Sequence, residues 1–107
     1  MSSGEKNGLL KTTCFIEWLA ALTDRKARTR IEARISRAED GNFGDCESVG
    51  EGVFEMCIDY GPGYRLYYFQ RGRCLYCLLA GGDKSTQTAD IAAAKALKRK
   101  VQKGEPC

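Results

Sequence analysis

The sequence contains no histidine, only two prolines and no long apolar run. Without an imidazole, the chain lacks the usual near-neutral general base, the commonest zinc ligand and every catalytic dyad that pairs Ser or Cys with His. Any catalysis therefore has to use Asp, Glu, Lys, Tyr, Cys or Arg. Apolar runs of only a few residues exclude a membrane-spanning helix. Because the first eight residues are polar and no apolar block follows them, we expect no secretory signal and a cytoplasmic protein.

The charges are unevenly distributed along the 107 residues, although the net charge is only +3. Residues 24–38 carry six basic and two acidic side chains, and residues 39–59 carry seven acidic side chains and no basic one. The chain is basic again from residue 65 onward. This distribution fits a protein that binds a polyanion on one side. It also describes solvated helix faces, which are the commoner origin of charge runs.

Six cysteines in so short a chain suggest disulfides, but their context favours free thiols. The sequence has no export signal, and Cys14, Cys57, Cys74 and Cys77 fall within helical or strand patterns, where buried thiols are common. Cys74 and Cys77 form a C-x-x-C motif, yet residues three apart in a strand point to opposite faces. We therefore predict six free thiols and no metal site.

Two helices are predicted near the start of the chain. The first begins after Thr12 or Thr13, either of which can cap it, and has an apolar stripe at Phe15, Trp18, Leu19 and Leu22. The second is capped by Asp24, has an apolar stripe at Ala27, Ile31, Ile35 and Ala38, and stops at Gly41-Asn42. Their short connection predicts a helical hairpin.

Beyond an acidic loop, the apolar period changes from 3.6 residues to two. Strands are predicted over residues 54–59, 64–70 and 74–80, with turns at 60–63 and 70–73. Such short links require an antiparallel meander. A final helix is predicted over residues 89–101, and a short strand over residues 8–11 is weakly indicated.

The element order predicts an α+β domain in which an antiparallel meander sheet carries the helices on one face. The opposite face, expected to be open, would display Glu55, Arg65 and Tyr67. A carboxylate, a guanidinium and a phenol on an uncovered sheet face form a candidate site. The alternative is a cross-strand salt bridge between Glu55 and Arg65, worth about 0.2 to 1 kcal/mol.

Six blocks of sequence occur here in the order found in one family. They are residues 15–19 (FIEWL), 24–28 (DRKAR), 41–45 (GNFGD), 50–55 (GEGVFE), 60–65 (YGPGYR) and 78–87 (LLAGGDKSTQ). On these blocks the chain resembles toxins of the RelE/ParE superfamily, in the HigB-like branch of addiction-module killer proteins. The resemblance covers residues 12–101 and implies a single RelE-like toxin domain over residues 1–107.

The resemblance implies the toxin of a type II toxin-antitoxin module. Such toxins are small bacterial cytoplasmic proteins, neutralised by direct binding of a HigA-like helix-turn-helix antitoxin. RelE-type and HigB-type members are mRNA interferases that cut messenger RNA on the ribosome without a cofactor. ParE-type members, which are similar in fold, poison DNA gyrase instead, and a weakened relative would retain antitoxin binding alone. Fold likeness does not decide among these activities.

Two cations match functional positions of the family. Arg65 matches the strand arginine associated with the scissile phosphate, and Lys84 matches a second functional cation near the last helix. Glu55 or Tyr67 is the available general base. The branch usually reads Glu-Leu-Arg after the acidic loop, whereas this chain reads Glu55-Met56-Cys57, so one expected cation is absent. Contacts to RNA or the ribosome are predicted for Lys26, Arg28, Arg30, Arg34, Arg73, Lys95, Lys98 and Arg99.

Overall fold

A computed structural model of the chain describes residues 6–104. The elements are β1 (Gly8–Lys11), α1 (Thr13–Ala21), α2 (Arg25–Glu39), β2 (Cys46–Gly50), β3 (Val53–Ile58), β4 (Tyr64–Gly72), β5 (Leu75–Asp83), a 3₁₀ turn (Lys84–Thr86) and α3 (Gln87–Gln102). The α+β class is confirmed. Over residues 6–104, the helices are too short or too polar to cross a bilayer.

The five strands form one mixed sheet in the order β1-β5-β4-β3-β2. Strands β2 to β5 are antiparallel, which confirms the meander, whereas β1 pairs in parallel with β5. The weakly indicated strand over residues 8–11 is thus present, and its parallel pairing makes the sheet mixed. Strand β2 lies in the segment expected to be an acidic loop. Gly50 and Gly52, both at positive φ, provide the tight turn that lets β2 pair with β3.

Side-chain caps fix where α1 and α2 begin. Thr12 Oγ1 accepts the backbone N–H of Phe15 at 3.0 Å and donates to Leu79 O at 2.7 Å, so the cap also ties α1 to β5. Asp24 Oδ1 accepts the N–H groups of Lys26 and Ala27 at the start of α2. Three residues, 22–24, join the two helices.

Helices cover both faces of the sheet, which corrects the expectation of an open face. Helices α1 and α2 pack on one face around Phe15, Ile31, Ile35, Ala38, Met56, Ile58, Leu66, Tyr68 and Leu78. Helix α3 packs on the other face around Val53, Tyr67, Phe69, Cys77, Leu79 and Ala94. The strand positions on this second face are largely apolar, so leaving them in water would cost more than ordering α3 against them. The result is a three-layer arrangement with the sheet in the middle.

Candidate functional site

Polar side chains gather on the α3 face of the sheet, beneath the first turn of that helix. The register pairs Glu55 with Tyr67 and Cys57 with Arg65, so these four residues of β3 and β4 are cross-strand neighbours. Because alternate residues of a strand share a face, all four side chains point toward α3. Gln87, the first residue of α3, completes what we call the Glu55 cluster.

The carboxylate of Glu55 is the centre of this cluster. Glu55 is only 2% exposed. Oε1 lies 3.2 Å from Nη1 of Arg65, and Oε2 accepts hydrogen bonds from the Tyr67 hydroxyl and from Nε2 of Gln87, both at 2.9 Å. Both carboxylate oxygens thus have donors, which compensates the loss of water around a buried charge.

The Arg65 side chain is partly exposed and is held by its neighbours in the cluster. Its side chain is 17% exposed. Nη1 donates to Glu55 and lies 2.9 Å from Sγ of Cys57, while Nε is buried without a hydrogen-bond partner among residues 6–104. Nη2 forms no hydrogen bond with residues in that part of the chain. The cation is therefore held through Nη1, and its side chain keeps partial exposure.

Burial determines the protonation of Tyr67 and Cys57. Burial, reinforced by the hydrogen bond to Glu55, raises the pKa of the Tyr67 phenol far above its usual value. Tyr67 therefore stays protonated and acts as a donor to Glu55, not as a base. Burial also raises the pKa of the Cys57 thiol, and the opposing effect of the nearby Arg65 charge is smaller. The cluster accordingly contains a neutral phenol and a neutral thiol.

Lys84 lies at the same end of the sheet but outside the hydrogen-bonded cluster. It is exposed and follows β5 directly, where Asp83 pairs with Tyr64 across the strands. A Cβ atom built on Gly63 would lie 3.5 Å from Cβ of Lys84. The two cations predicted from the sequence, Arg65 and Lys84, are therefore brought to one corner of the domain.

Arg34, predicted to contact RNA, forms hydrogen bonds within the protein. Nη1 donates to Cys57 O at 2.6 Å, and Nη2 donates to Phe43 O at 3.1 Å and to Asp45 O at 3.3 Å. These bonds fasten α2 to the loop before β2 and to β3. Arg34 is thus a structural side chain of the domain.

Several other predicted surface cations also have partners within the protein. Lys98 Nζ donates to Glu51 O at 2.8 Å, and Arg99 pairs with the Glu51 carboxylate. The guanidinium of Arg30 lies 4.7 Å from the ring centroid of Tyr60. Lys95, like Lys98, approaches the β2–β3 turn, where its Nζ lies 3.2 Å from a Cβ built on Gly50.

The other three predicted contact cations lie on α2 and in the turn between β4 and β5. Lys26 is exposed in the first turn of α2, and Arg73 is exposed in the turn between β4 and β5. Arg28 lines a groove of about 890 Å³ between α1 and α2, together with the apolar side chains of Phe15, Ile16 and Leu19. No residue of the Glu55 cluster lines this groove. The contacts to RNA or the ribosome predicted for these residues stay a prediction.

The cysteines follow the prediction in part. Cys46, Cys57, Cys74 and Cys77 are free thiols. Cys14 is disulfide-bonded, so the prediction is wrong for this residue. Cys107 lies outside the described residues. Within residues 6–104 we find no group of three or more Cys, Asp or Glu side chains arranged to hold a metal ion.

Gln87 is the member of the cluster that sequence reasoning missed. In the sequence, the last helix is predicted only from residue 89, and Gln87 is 32 positions away from Glu55. Nothing in the spacing indicates that this amide would reach a carboxylate on β3. Gln87 does lie in the sequence block of residues 78–87, which also contains Lys84, and this position was the one signal that could have indicated a role.

Comparison with known proteins identifies one informative relative. A protein of Haemophilus influenzae, described as uncharacterized, is 48% identical over 93 residues, which are 86% of this chain and 94% of the relative. No family model matches the chain, and no solved structure matches it significantly.

Proposed function

The chain belongs to the same family as that Haemophilus influenzae protein, and we propose that it is a toxin of a type II toxin-antitoxin module that cuts messenger RNA on the ribosome. The proposal includes a RelE-like fold with α1 and α2 as its helical hairpin, a cytoplasmic location and neutralisation by a HigA-like helix-turn-helix antitoxin. It is supported by the six ordered blocks of sequence and by the corner that holds Arg65 and Lys84. No cofactor is required for the chemistry described below.

One observation carries the proposal: Glu55 and Cys57 hold the guanidinium of Arg65 through Nη1, while its side chain stays 17% exposed. A permanently charged, planar donor suits a phosphate, and a cation held in place before the reaction stabilises developing charge without reorganising. Arg65 is therefore the proposed catalytic residue that contacts the scissile phosphate.

The proposed reaction is an intramolecular transesterification at the scissile phosphate. The ribose 2′-oxygen attacks the adjacent phosphorus as its proton passes to water. The bond from phosphorus to the 5′-oxygen breaks, leaving a cyclic phosphate and a 5′-hydroxyl. In the proposal, Lys84 Nζ gives a proton to the leaving oxygen and regains one from water. Alignment of the messenger on the ribosome supplies the in-line geometry.

Glu55 and Tyr67 have a different proposed role from the general base expected from the sequence. Glu55 is 2% exposed and Tyr67 is fully buried, so neither meets an external hydroxyl. The Tyr67 phenol donates to Glu55 at 2.9 Å, and Glu55 in turn holds Arg65. Both act as positioning residues for the guanidinium.

A second candidate function, a weakened relative that retains only antitoxin binding, is favoured by Cys57. Its sulfur lies 2.9 Å from Nη1 of Arg65, at the position where the branch usually has an arginine. A neutral thiol at this position leaves the site with one cation fewer. Slow or absent cleavage by the natural protein would favour this candidate.

The proposal is tested by adding the purified protein to translating ribosomes and mapping messenger ends by primer extension. We expect cuts within translated codons, lost in Arg65→Ala and strongly reduced in Arg65→Lys, which keeps the charge but not the planar fork. Arg71→Ala, an exposed arginine later in β4, is the matched control and should cut normally. Messengers that stay intact in this assay would refute the nuclease function, and inhibited supercoiling by purified gyrase would then identify the ParE-type activity.

A further inference from the structure

Gln87 joins the two parts of the proposed catalytic corner. Its backbone N–H bonds to Lys84 O across the 3₁₀ turn. Its side-chain Nε2 donates to Glu55 Oε2 at 2.9 Å, and the other oxygen of that carboxylate holds Arg65. The main chain of Gln87 thus contacts the Lys84 segment, and its side chain contacts the residue that orients Arg65.

From this geometry, and resting on the proposed function, we infer that Gln87 is a positioning residue that sets the placement of Arg65 relative to Lys84. A carboxylate rotates easily about its last torsion, because that torsion has a broad energy profile. Two donors on Oε2, from Tyr67 and Gln87, fix this rotation and direct Oε1 toward Arg65.

Tyr67 and Gln87 differ in what they connect. Tyr67 belongs to β4, the strand that also carries Arg65, so its hydrogen bond to Glu55 joins two strands that already pair in the sheet. Gln87 belongs to α3, and its amide is the one side-chain hydrogen bond that joins this helix to the Glu55 cluster within residues 6–104. Loss of the amide therefore removes the hydrogen bond between the first turn of α3, which follows Lys84, and the carboxylate on β3 that holds Arg65.

The alternative is that Gln87 only satisfies a buried acceptor. Removing a donor from a buried charged group then lowers stability but leaves the chemistry of the remaining folded protein intact. A positioning role lowers the rate of the bound complex instead, because charge stabilisation depends on where the cation lies. Turnover of folded protein separates the two roles.

The experiment compares Gln87→Met with Gln102→Met in the ribosome cleavage assay. Gln102, the last residue of α3, is exposed and provides the same substitution away from the cluster. We expect Gln87→Met to lower kcat about ten- to hundredfold with little change in KM, and Gln102→Met to leave both unchanged. Thermal unfolding confirms that each variant is folded at the assay temperature.

Gln87→Glu adds a readout that a purely structural role would not change. Two adjacent carboxylates hold a shared proton, and only a protonated residue 87 can donate to Glu55. The kcat of Gln87→Glu should therefore recover as pH falls from 8 to 6, relative to the natural protein, whereas Gln87→Met should show no such recovery.

The outcomes separate this inference from the proposed function. Cleavage by the natural protein with an unchanged kcat in folded Gln87→Met would overturn the positioning role and leave the nuclease function standing. Absence of cleavage by the natural protein would overturn both. A reduced kcat in Gln87→Met, with recovery of Gln87→Glu at low pH, would establish the role.

Discussion

Arg65 and Glu55 form a diagonal ion pair between β4 and β3, with Nη1 3.2 Å from Oε1. They do not face each other directly, since the register pairs Arg65 with Cys57 and Glu55 with Tyr67. Their side chains are 17% and 2% exposed, so this is not the surface bridge that the sequence suggested. Removing one partner of a buried pair costs about 3 to 5 kcal/mol, because the other charge is left unpaired. Substitutions at Arg65 must therefore be assayed for folding as well as for cleavage.

Cys57→Arg should increase messenger cleavage if the thiol weakens the site. The new guanidinium would lie on the same sheet face as Arg65 and close to Glu55, whose oxygen is 3.7 Å from the present sulfur. A second cation adds charge stabilisation for a phosphate. Cleavage by Cys57→Arg is compared with that of Cys57→Ser, which adds no charge. Equal rates in the two variants would contradict the prediction.

The free energy of unfolding should fall as pH rises above the usual range of tyrosine titration. Burial raises the pKa of Tyr67 and of Tyr68, with further contributions from Glu55 and from Cys46 respectively. Tyrosines of the unfolded chain lose their protons near pH ~10, so above this pH the unfolded state binds fewer protons than the folded state. Each tyrosine contributes a slope of up to about 1.4 kcal/mol per pH unit. Urea unfolding at several pH values measures the decline.

Tyr67→Phe and Tyr68→Phe should each make that decline shallower. Each variant removes one group whose proton is retained only in the folded state. If the free energy of unfolding declines as steeply with pH in both variants as in the natural protein, other groups cause the loss of stability.

Arg34→Met should lower the free energy of unfolding by about 2 to 4 kcal/mol, because it leaves backbone carbonyls without charged donors. These carbonyls belong to Phe43, Asp45 and Cys57. Arg37→Met, an exposed position on the same helix, is the control and should change stability little. Chemical denaturation compares the two variants, and equal losses would contradict the structural role of Arg34.

Gly82→Ala should be destabilising, because a Cβ on Gly82 would overlap the carboxylate of Asp90. The Asp90 side chain would have to move, and its hydrogen bond from the Thr86 hydroxyl would be disturbed. Gly72→Ala, where the new Cβ would meet Leu75 at an ordinary 3.6 Å, is the matched control. The double variant Gly82→Ala/Asp90→Ala should recover part of the lost melting temperature. No recovery would show that the carboxylate is not the obstacle.

Local patterns predicted most of the elements. Thr12 and Asp24 are the caps of α1 and α2, and the alternation of Leu66 and Tyr68 with Tyr67 and Phe69 matches the two faces of β4. The layer arrangement was not predictable in this way. Period-two alternation shows that two faces differ, but Tyr67 and Phe69 are compatible with either an exposed or a covered face.

The site was predicted less completely than the fold. Strand alternation and the family pattern singled out Arg65, the family pattern singled out Lys84, and the register brings their segments together. Gln87 could not be found, since its bond to Glu55 depends on the position of α3 over the sheet. The hydrogen bonds of Arg34 and Lys98 within the protein could not be predicted either, because composition does not reveal whether a cation has a partner within the protein.

The parallel pairing of β1 with β5 affects how the protein folds during synthesis. Gly8 pairs with Leu75 and Lys11 with Leu78, so β1 is made long before its partner strand. Contacts so distant in sequence close slowly, because the intervening chain must first be ordered. During synthesis on the ribosome, β1 therefore stays without its partner strand until β5 emerges. The sheet is completed late in the folding of the newly made chain.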